Sequence, residues 1–117
     1  MKILRVLFVV ASAATLVACD NETEFEQFRV ALAKRPDVQA QILAKCETKL
    51  RHSYYEIRQE VARYARLKLD GAMPLIVCKR VMKGYLNGRM KWSDYEAIIE
   101  SGRQRVTPNM TRIVRSG

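Results

Sequence analysis

From residue 21 onward, apolar residues recur every three or four positions, in short runs that polar residues, glycine and proline interrupt. This spacing is typical of amphipathic helices that bury one side against a core. Strand-like alternation occurs only in residues 106–114, a stretch too short to form a sheet alone. The pattern therefore predicts an all-α fold, a small bundle of about five short helices.

Local capping and breaking residues set the expected helix ends. Asn21 has the side chain and the spacing to cap the first helix, and Pro36 forces that helix to end at the preceding residue. Gly71 is expected to take the left-handed conformation after the third helix, and Gly88 closes the fourth. The fifth helix is expected to end before Gly102.

The first 18 residues have the pattern of a secretory signal peptide. Lys2 and Arg5 form a positively charged start, and thirteen uncharged, mostly apolar residues follow at positions 6–18. That run is short for a helix that spans a bilayer, which needs about 20 apolar residues. We expect residues 1–18 to be cleaved on export; a short membrane anchor or a buried helix is the alternative.

The motif Leu16-Val17-Ala18-Cys19 resembles the lipobox of bacterial lipoproteins. The resemblance implies cleavage before Cys19, a diacylglyceryl thioether on its sulfur and a further acyl chain such as palmitate on the new amino terminus. Two or more acyl chains give stable anchoring, because each buried methylene contributes about 0.8 kcal/mol. The expected location is therefore a membrane of the cell envelope, facing the periplasm or the exterior. Asp20 resembles an inner-membrane retention signal and so favours the inner membrane, although the choice between the inner and the outer membrane stays open.

The two remaining cysteines predict a disulfide. Cys46 and Cys78 lie in the middle of the apolar faces of two different predicted helices. An exported protein meets an oxidising compartment, in which such a pair forms a bridge. We expect a structural disulfide that stabilises the fold by roughly 3–4 kcal/mol. Two buried free thiols are the alternative.

Charge is distributed unevenly along the chain. The whole sequence has a net charge of +9, whereas residues 28–117 carry 19 basic and 8 acidic residues, a net charge of +11. Four acidic residues cluster at positions 20–26. A strongly basic chain suits nucleic acid, but export removes that partner.

Together these features divide the chain into four parts. They are a signal peptide at 1–18, a lipidated cysteine with an acidic tether at 19–27, a basic helical domain at 28–102 and an Arg-rich tail at 103–117. The tail is either a solvated, disordered end or a basic arm that binds an anionic surface.

No motif predicts catalysis. His52 is the only histidine, and no Cys, His or carboxylate cluster has metal-ligand spacing. Glu60 is expected to form an ion pair with Arg63 on a solvated helix surface. We therefore expect no enzyme activity, no cofactor and no metal; a small enzyme or enzyme inhibitor is the remaining alternative.

The expected function is that of a lipid-anchored envelope module whose basic surface binds an anionic partner. Lipid head groups, an envelope polymer and an acidic envelope protein all fit that description, and nucleic acid does not. The candidate contacts are Arg58, Arg63, Arg66, Arg103, Arg105, Arg112 and Arg115. The alternative is an accessory lipoprotein of an envelope machine, such as a secretion or conjugation apparatus, in which the basic face binds another protein.

Overall fold

The computed structural model describes residues 19–99 and 106–116, which form six α-helices and no strand. The helices are α1 (Glu22–Ala33), α2 (Pro36–Arg51), α3 (Tyr55–Ala65), α4 (Met73–Leu86), α5 (Trp92–Ile99) and α6 (Pro108–Ser116). The predicted all-α class is confirmed. The predicted signal peptide at 1–18, together with Arg103 and Arg105, lies outside the described residues.

Helix α4 is the centre of the bundle, since α1, α2 and α6 all pack against it and α3 packs against α6. Its apolar residues are among the most buried in the described chain, with Met73, Val77 and Cys78 at most 2% exposed. Because partners surround α4 on more than one side, it carries more than the single apolar stripe that its sequence pattern predicts.

The predicted disulfide is confirmed. Cys46 of α2 and Cys78 of α4 are bonded, with their Cα atoms 6.0 Å apart, an ordinary separation for a disulfide. The bond closes a loop that contains α3, and it joins α2 to the central helix at the interface where those two helices pack.

An aromatic cluster attaches α1 to the same side of α4. The ring of Phe25 is 1% exposed and lies 5.0 Å from Tyr85, 5.8 Å from Trp92 and 5.4 Å from Tyr95, measured between centroids. The hydroxyl of Tyr85 donates a 2.7 Å hydrogen bond to the carbonyl oxygen of Phe25. Tilted and edge-on contacts of this kind add to the energy of apolar burial.

Residues 106–116 of the predicted tail are folded rather than disordered, because Pro108–Ser116 is helix α6. Thr107 caps it by accepting a 3.1 Å hydrogen bond from the Met110 amide, and proline occupies the first helical position. Three apolar residues of α6 are buried: Met110, Ile113 and Val114. Their burial, which a strand-like alternation does not predict, stabilises the helix against the bundle.

The buried carboxylate of Asp94 connects α5 to the start of α6. It accepts hydrogen bonds from the hydroxyl of Thr107 and, at 2.7 Å, from the side-chain amide of Asn109. It also accepts from the backbone amide of Lys91 at 2.8 Å. A buried carboxylate requires such donors, and here they fix the position of α6.

Helices α4 and α6 approach each other closely at Gly84. A Cβ atom on Gly84 would lie 2.6 Å from Cγ2 of Ile113, which is too close for a real contact. Glycine at this position therefore allows α6 to pack against the backbone of α4.

Two predicted helix ends have opposite outcomes. Gly88 has a φ of 80° after α4, as predicted. Helix α3 ends earlier than predicted, at Ala65, and Arg66 rather than Gly71 takes the left-handed conformation, with φ 55° and ψ 44°. The Asp70 carboxylate, next to Gly71, instead accepts hydrogen bonds from amides at the start of α4.

Candidate functional site

The carboxyl-terminal ends of α3 and α6 meet at a group of four arginines. Arg80 of α4 donates from Nη1 to the carbonyl oxygens of Ala65 at 3.3 Å and Val114 at 2.8 Å. Arg115 donates from Nε to the carbonyl oxygen of Tyr64 at 2.9 Å. The last carbonyls of a helix lack donors within the helix and carry partial negative charge, so cationic donors stabilise them.

Two further arginines lie at the same helix end. Arg63 is in the last turn of α3, and Arg66 follows that helix directly; both are exposed. We call these two residues, together with Arg80 and Arg115, the arginine cluster.

The exposed members of the arginine cluster have no acidic counterpart in the described part of the chain. The ion pairs found there are Glu26–Arg29, Asp37–Arg35 and Glu47–Arg51. The expected Glu60–Arg63 pair is not among them. None of the described ion pairs engages Arg63 or Arg66, so their positive charge is available to an external anion.

Arg66 occupies a backbone conformation that usually favours glycine. A left-handed conformation costs a residue with a side chain about 1 kcal/mol or more, a cost that glycine avoids. The chain uses glycine at the equivalent place after α4, where Gly88 has positive φ. Strained residues of this kind are concentrated at functional sites, which draws attention to the Arg66 side chain.

The other predicted arginines have different surroundings. Arg58 is half-buried near the start of α3, and its Nε has no hydrogen-bond partner among the described atoms. Arg112 is exposed on α6, one turn before the end of that helix. The structure thus brings Arg115 to the end of α3, where Arg63 and Arg66 are close in sequence to the bonded carbonyl. No described side-chain hydrogen bond brings Arg58 or Arg112 to that helix end.

Sequence reasoning missed Arg80, which is not among the arginines predicted to contact the partner. One turn away on either side, Val77 is fully buried and Gly84 lies against Ile113 of α6. In the sequence, an apolar residue three positions before Arg80 and a glycine four positions after it could have indicated that this side of α4 also packs against another helix.

The predicted lipid-attachment residue, Cys19, lies beside the acidic residues at positions 20–26 and not in the basic part of the chain. Cys19 is buried, at 7% exposure, and its thiol is free, whereas the other two cysteines form the disulfide. Burial raises the pKa of the Cys19 thiol, and the nearby Glu24 and Asp20 carboxylates raise it further. Burial likewise raises the pKa of Tyr85, with the proximity of Cys19 as the next cause.

Hydrogen bonds fix the backbone directly after Cys19. The Asp20 amide donates a 2.9 Å hydrogen bond to the Glu24 carboxylate, and the Glu24 amide donates a 2.9 Å bond to the Asn21 side chain. The predicted Asn21 cap is therefore confirmed. Acidic side chains at this helix start are favourable, because the amino terminus of a helix carries partial positive charge.

A shallow, mostly apolar surface groove of about 370 Å³ lies between α2 and α4. Its lining comprises Leu43, Lys79, Met82, Lys83, Leu86 and Asn87. No contact within the described residues identifies a ligand for this groove.

No protein-family model, curated protein or solved structure matches this chain. Within residues 19–99 and 106–116, no helix has both the length and the apolar character needed to cross a membrane. The same residues contain no group of three or more His, Cys, Asp or Glu side chains that could hold a metal ion. The arginine cluster and Cys19 are thus the features on which a functional proposal rests.

Proposed function

We propose that this protein is a lipid-anchored binding module of the bacterial cell envelope that holds an anionic partner through its arginine cluster. The observation that carries the proposal is that Arg80 and Arg115 bond to carbonyls at two helix ends. The exposed residues Arg63 and Arg66 flank those carbonyls of α3 in sequence and take part in none of the described ion pairs. A cluster that served only to neutralise the helix ends would need no more than Arg80 and Arg115, which already bond to the carbonyls.

The lipobox-like motif supplies the proposed anchor at Cys19. A diacylglyceryl group is too large for the buried position of the free thiol, so attachment of lipid turns the Cys19 side chain outward. The Asn21 cap can persist, because its hydrogen bond to Glu24 does not involve Cys19. The anchored cysteine then lies directly before a folded helix.

The proposed binding is electrostatic. A basic residue near an anionic lipid surface contributes about 1 kcal/mol, and the attraction decays within a Debye length. That length falls from about 30 Å at 0.01 M salt to about 3 Å at 1 M. Binding through the arginine cluster must therefore weaken steeply as salt is added.

The anchor is tested by mass spectrometry of the amino-terminal peptide from membrane fractions. We expect a chain that begins at Cys19 and carries a diacylglyceryl group, and a Cys19→Ser variant that is not lipidated and leaves the membrane fraction. A free Cys19 thiol in membrane material would overturn the proposed anchor.

The binding is tested with a Cys19→Ser chain that begins at residue 19, so that no lipid contributes. We expect it to cosediment with phosphatidylglycerol vesicles at about 10 mM salt, to dissociate at about 1 M salt and to ignore phosphatidylcholine vesicles. Salt-independent binding, or equal binding to both lipids, would contradict the electrostatic mechanism.

A protein partner is the second candidate, in line with an accessory role in a secretion or conjugation apparatus. Two exposed aromatic residues at the start of α3 favour it, since Tyr54 is 79% and Tyr55 55% exposed and tyrosine is enriched at protein interfaces. Crosslinking in membranes, followed by mass spectrometry, should then yield one stoichiometric partner that a Tyr54→Ser, Tyr55→Ser variant loses.

A further inference from the structure

We infer that the arginine cluster faces away from the membrane that holds Cys19 and binds phosphate groups on a second, opposing surface. This inference rests on the proposed lipid anchor. Beyond the proposed function, it specifies that the ligand carries phosphate groups and that it binds on the side of the protein that faces away from the anchoring membrane.

The tether between the anchor and the folded domain is very short. Only Asp20 separates Cys19 from the Asn21 cap, and the Asp20 amide is itself bonded to Glu24. One extended residue spans at most about 3.6 Å. The start of α1 therefore remains beside the lipid head groups, and the domain has little freedom to rotate its other faces toward them.

The central helix places the two regions on different sides. Cys19 is near Tyr85, whose hydroxyl bonds to α1, whereas Arg80 reaches the ends of α3 and α6. Five positions separate Tyr85 from Arg80, so their side chains leave α4 about 140° apart around its axis and about 7.5 Å apart along it.

The distance across the domain exceeds the range of the cluster's charge. The described residues extend over 34 × 30 × 24 Å. At physiological ionic strength the Debye length is about 8 Å, so charges on the far side are largely screened from the anchoring bilayer. The exposed acidic residues Asp20 and Glu22 lie beside the anchor instead, and they repel anionic lipid.

The side-chain chemistry of the cluster suits phosphate. The carbonyl oxygen of Tyr64 holds Arg115 through Nε, which leaves its two Nη groups without a described partner. Exposed Arg63 and Arg66 add two guanidinium groups at the same helix end. The planar guanidinium presents paired N–H donors that match phosphate oxygens.

The scarcity of exposed apolar surface at the cluster argues against a protein ligand there. The large apolar side chains that are exposed in the described residues are Val30, Tyr54, Tyr55 and Leu69. Of these, only Leu69 lies within a few residues of the cluster, and at 37% it is the least exposed. Protein interfaces usually have an apolar, aromatic-rich centre.

The test uses the lipidated protein, purified from membranes and reconstituted into phosphatidylcholine vesicles. These are mixed with differently labelled phosphatidylglycerol vesicles, and capture of the second vesicle by the first is measured. We expect capture at about 10 mM salt and release at about 1 M. An Arg63→Gln, Arg66→Gln variant should need about 30-fold more phosphatidylglycerol for half-maximal capture.

A Lys45→Gln, Lys49→Gln variant is the matched control, because it removes the same charge from exposed positions on α2. It should capture phosphatidylglycerol vesicles nearly as well as the parent. A loss of capture equal to that of the arginine variant would show that only net charge matters and would overturn the assignment to the cluster.

Flotation distinguishes failure of the inference from failure of the anchor. The protein could float with phosphatidylcholine vesicles and yet bind phosphatidylglycerol only when that lipid is in the same vesicle as the anchor. The arginine cluster would then face the anchoring membrane, and the inference would be wrong. A protein that does not float with any vesicle contradicts the proposed anchor, and the inference then fails with it.

Competition identifies the ligand chemistry and its source. Polyphosphate should displace the captured vesicles at a lower charge concentration than polyglutamate, and equal displacement would overturn the assignment to phosphate.

Capture of phosphatidylglycerol vesicles indicates a lipid source, and retention on immobilised polyphosphate alone indicates a phosphate polymer. Retention of neither by a floating protein contradicts the inference.

Discussion

The two sides of helix α4 are held by different kinds of interaction. Toward α1 and α2, the contacts are a covalent bond, Cys46–Cys78, and a group of packed aromatic rings around Phe25. Toward α3 and α6, they are hydrogen bonds from arginine to helix-end carbonyls and the close approach at Gly84. Both sides bury apolar residues, but the first is cross-linked, whereas the second also brings arginines to the helix ends.

Under the proposed function, the first side serves stability alone, whereas the second side contributes both to stability and to binding. The disulfide and the aromatic rings hold the bundle in a way that added salt does not weaken. The guanidinium groups both join helices and leave charge exposed, so the second side can respond to an anionic ligand. Substitutions on the two sides should therefore differ in their effect on folding and on binding.

Loss of the disulfide should have the largest effect. A Cys46→Ala, Cys78→Ala variant should lose about 3–4 kcal/mol of unfolding free energy, because the unfolded chain is no longer restricted by a loop of about 33 residues. Urea unfolding followed by circular dichroism measures this. The loss should be the same at low and high salt; an unchanged unfolding midpoint would show that the aromatic packing alone is sufficient.

Loss of Arg80 should have the next largest effect. An Arg80→Met variant should lose about 2 kcal/mol, because the carbonyls of Ala65 and Val114 lose a charged donor. Lys79→Met is its control, since it removes the same charge from an exposed neighbouring position. Equal unfolding midpoints for the two variants would contradict a structural role for Arg80.

A methyl group at the α4–α6 contact should destabilise by less. Gly84→Ala forces its Cβ against Ile113, and overpacking of about 1–3 kcal/mol outweighs the higher helix propensity of alanine, for a net loss of about 1 kcal/mol. Gly71→Ala is the control, because the nearest atom to its Cβ is Nη1 of Arg51 at 3.9 Å. Urea unfolding that ranks Gly84→Ala at or above the parent would contradict the close packing of α6.

The smallest effect on stability is expected for Arg66→Gly, which should stabilise by about 0.5 kcal/mol. Glycine relieves the left-handed strain, and its greater freedom in the unfolded chain offsets part of that gain. Binding to phosphatidylglycerol vesicles should nevertheless weaken by about fivefold, since one surface charge is lost. Unfolding and cosedimentation measured on the same sample separate the two effects; a variant that binds as tightly as the parent would remove Arg66 from the site.

The features predicted correctly from the sequence are those that local chemistry determines. Asn21 caps α1 and Gly88 ends α4 because each acts on residues within one turn. The disulfide could be predicted because apolar residues every four positions place Cys46 and Cys78 on core faces. The lipid anchor at Cys19 remains a prediction, as residues 1–18 lie outside the described part of the chain.

The features missed depend on contacts between distant residues. Helix α3 ends at Ala65 rather than near Gly71, and its last carbonyls are bonded by side chains 15 and 51 residues away. Helix α6 had a local signal, Thr107 followed by proline, but the alternation of its apolar residues obscured it. The charges of Arg63, Arg66 and Arg115 could be identified individually, whereas their meeting with Arg80 required the packing of three helices.

The central claim, that an anionic partner binds at the arginine cluster, is tested most directly by comparing two charge-matched variants. Arg63→Gln, Arg66→Gln and Lys45→Gln, Lys49→Gln are each introduced into the unlipidated mature chain, and their affinities for phosphatidylglycerol vesicles are measured at about 10 mM salt. The account predicts a loss of about 30-fold for the arginine variant and little change for the lysine variant. Equal losses, or none in either variant, would contradict it.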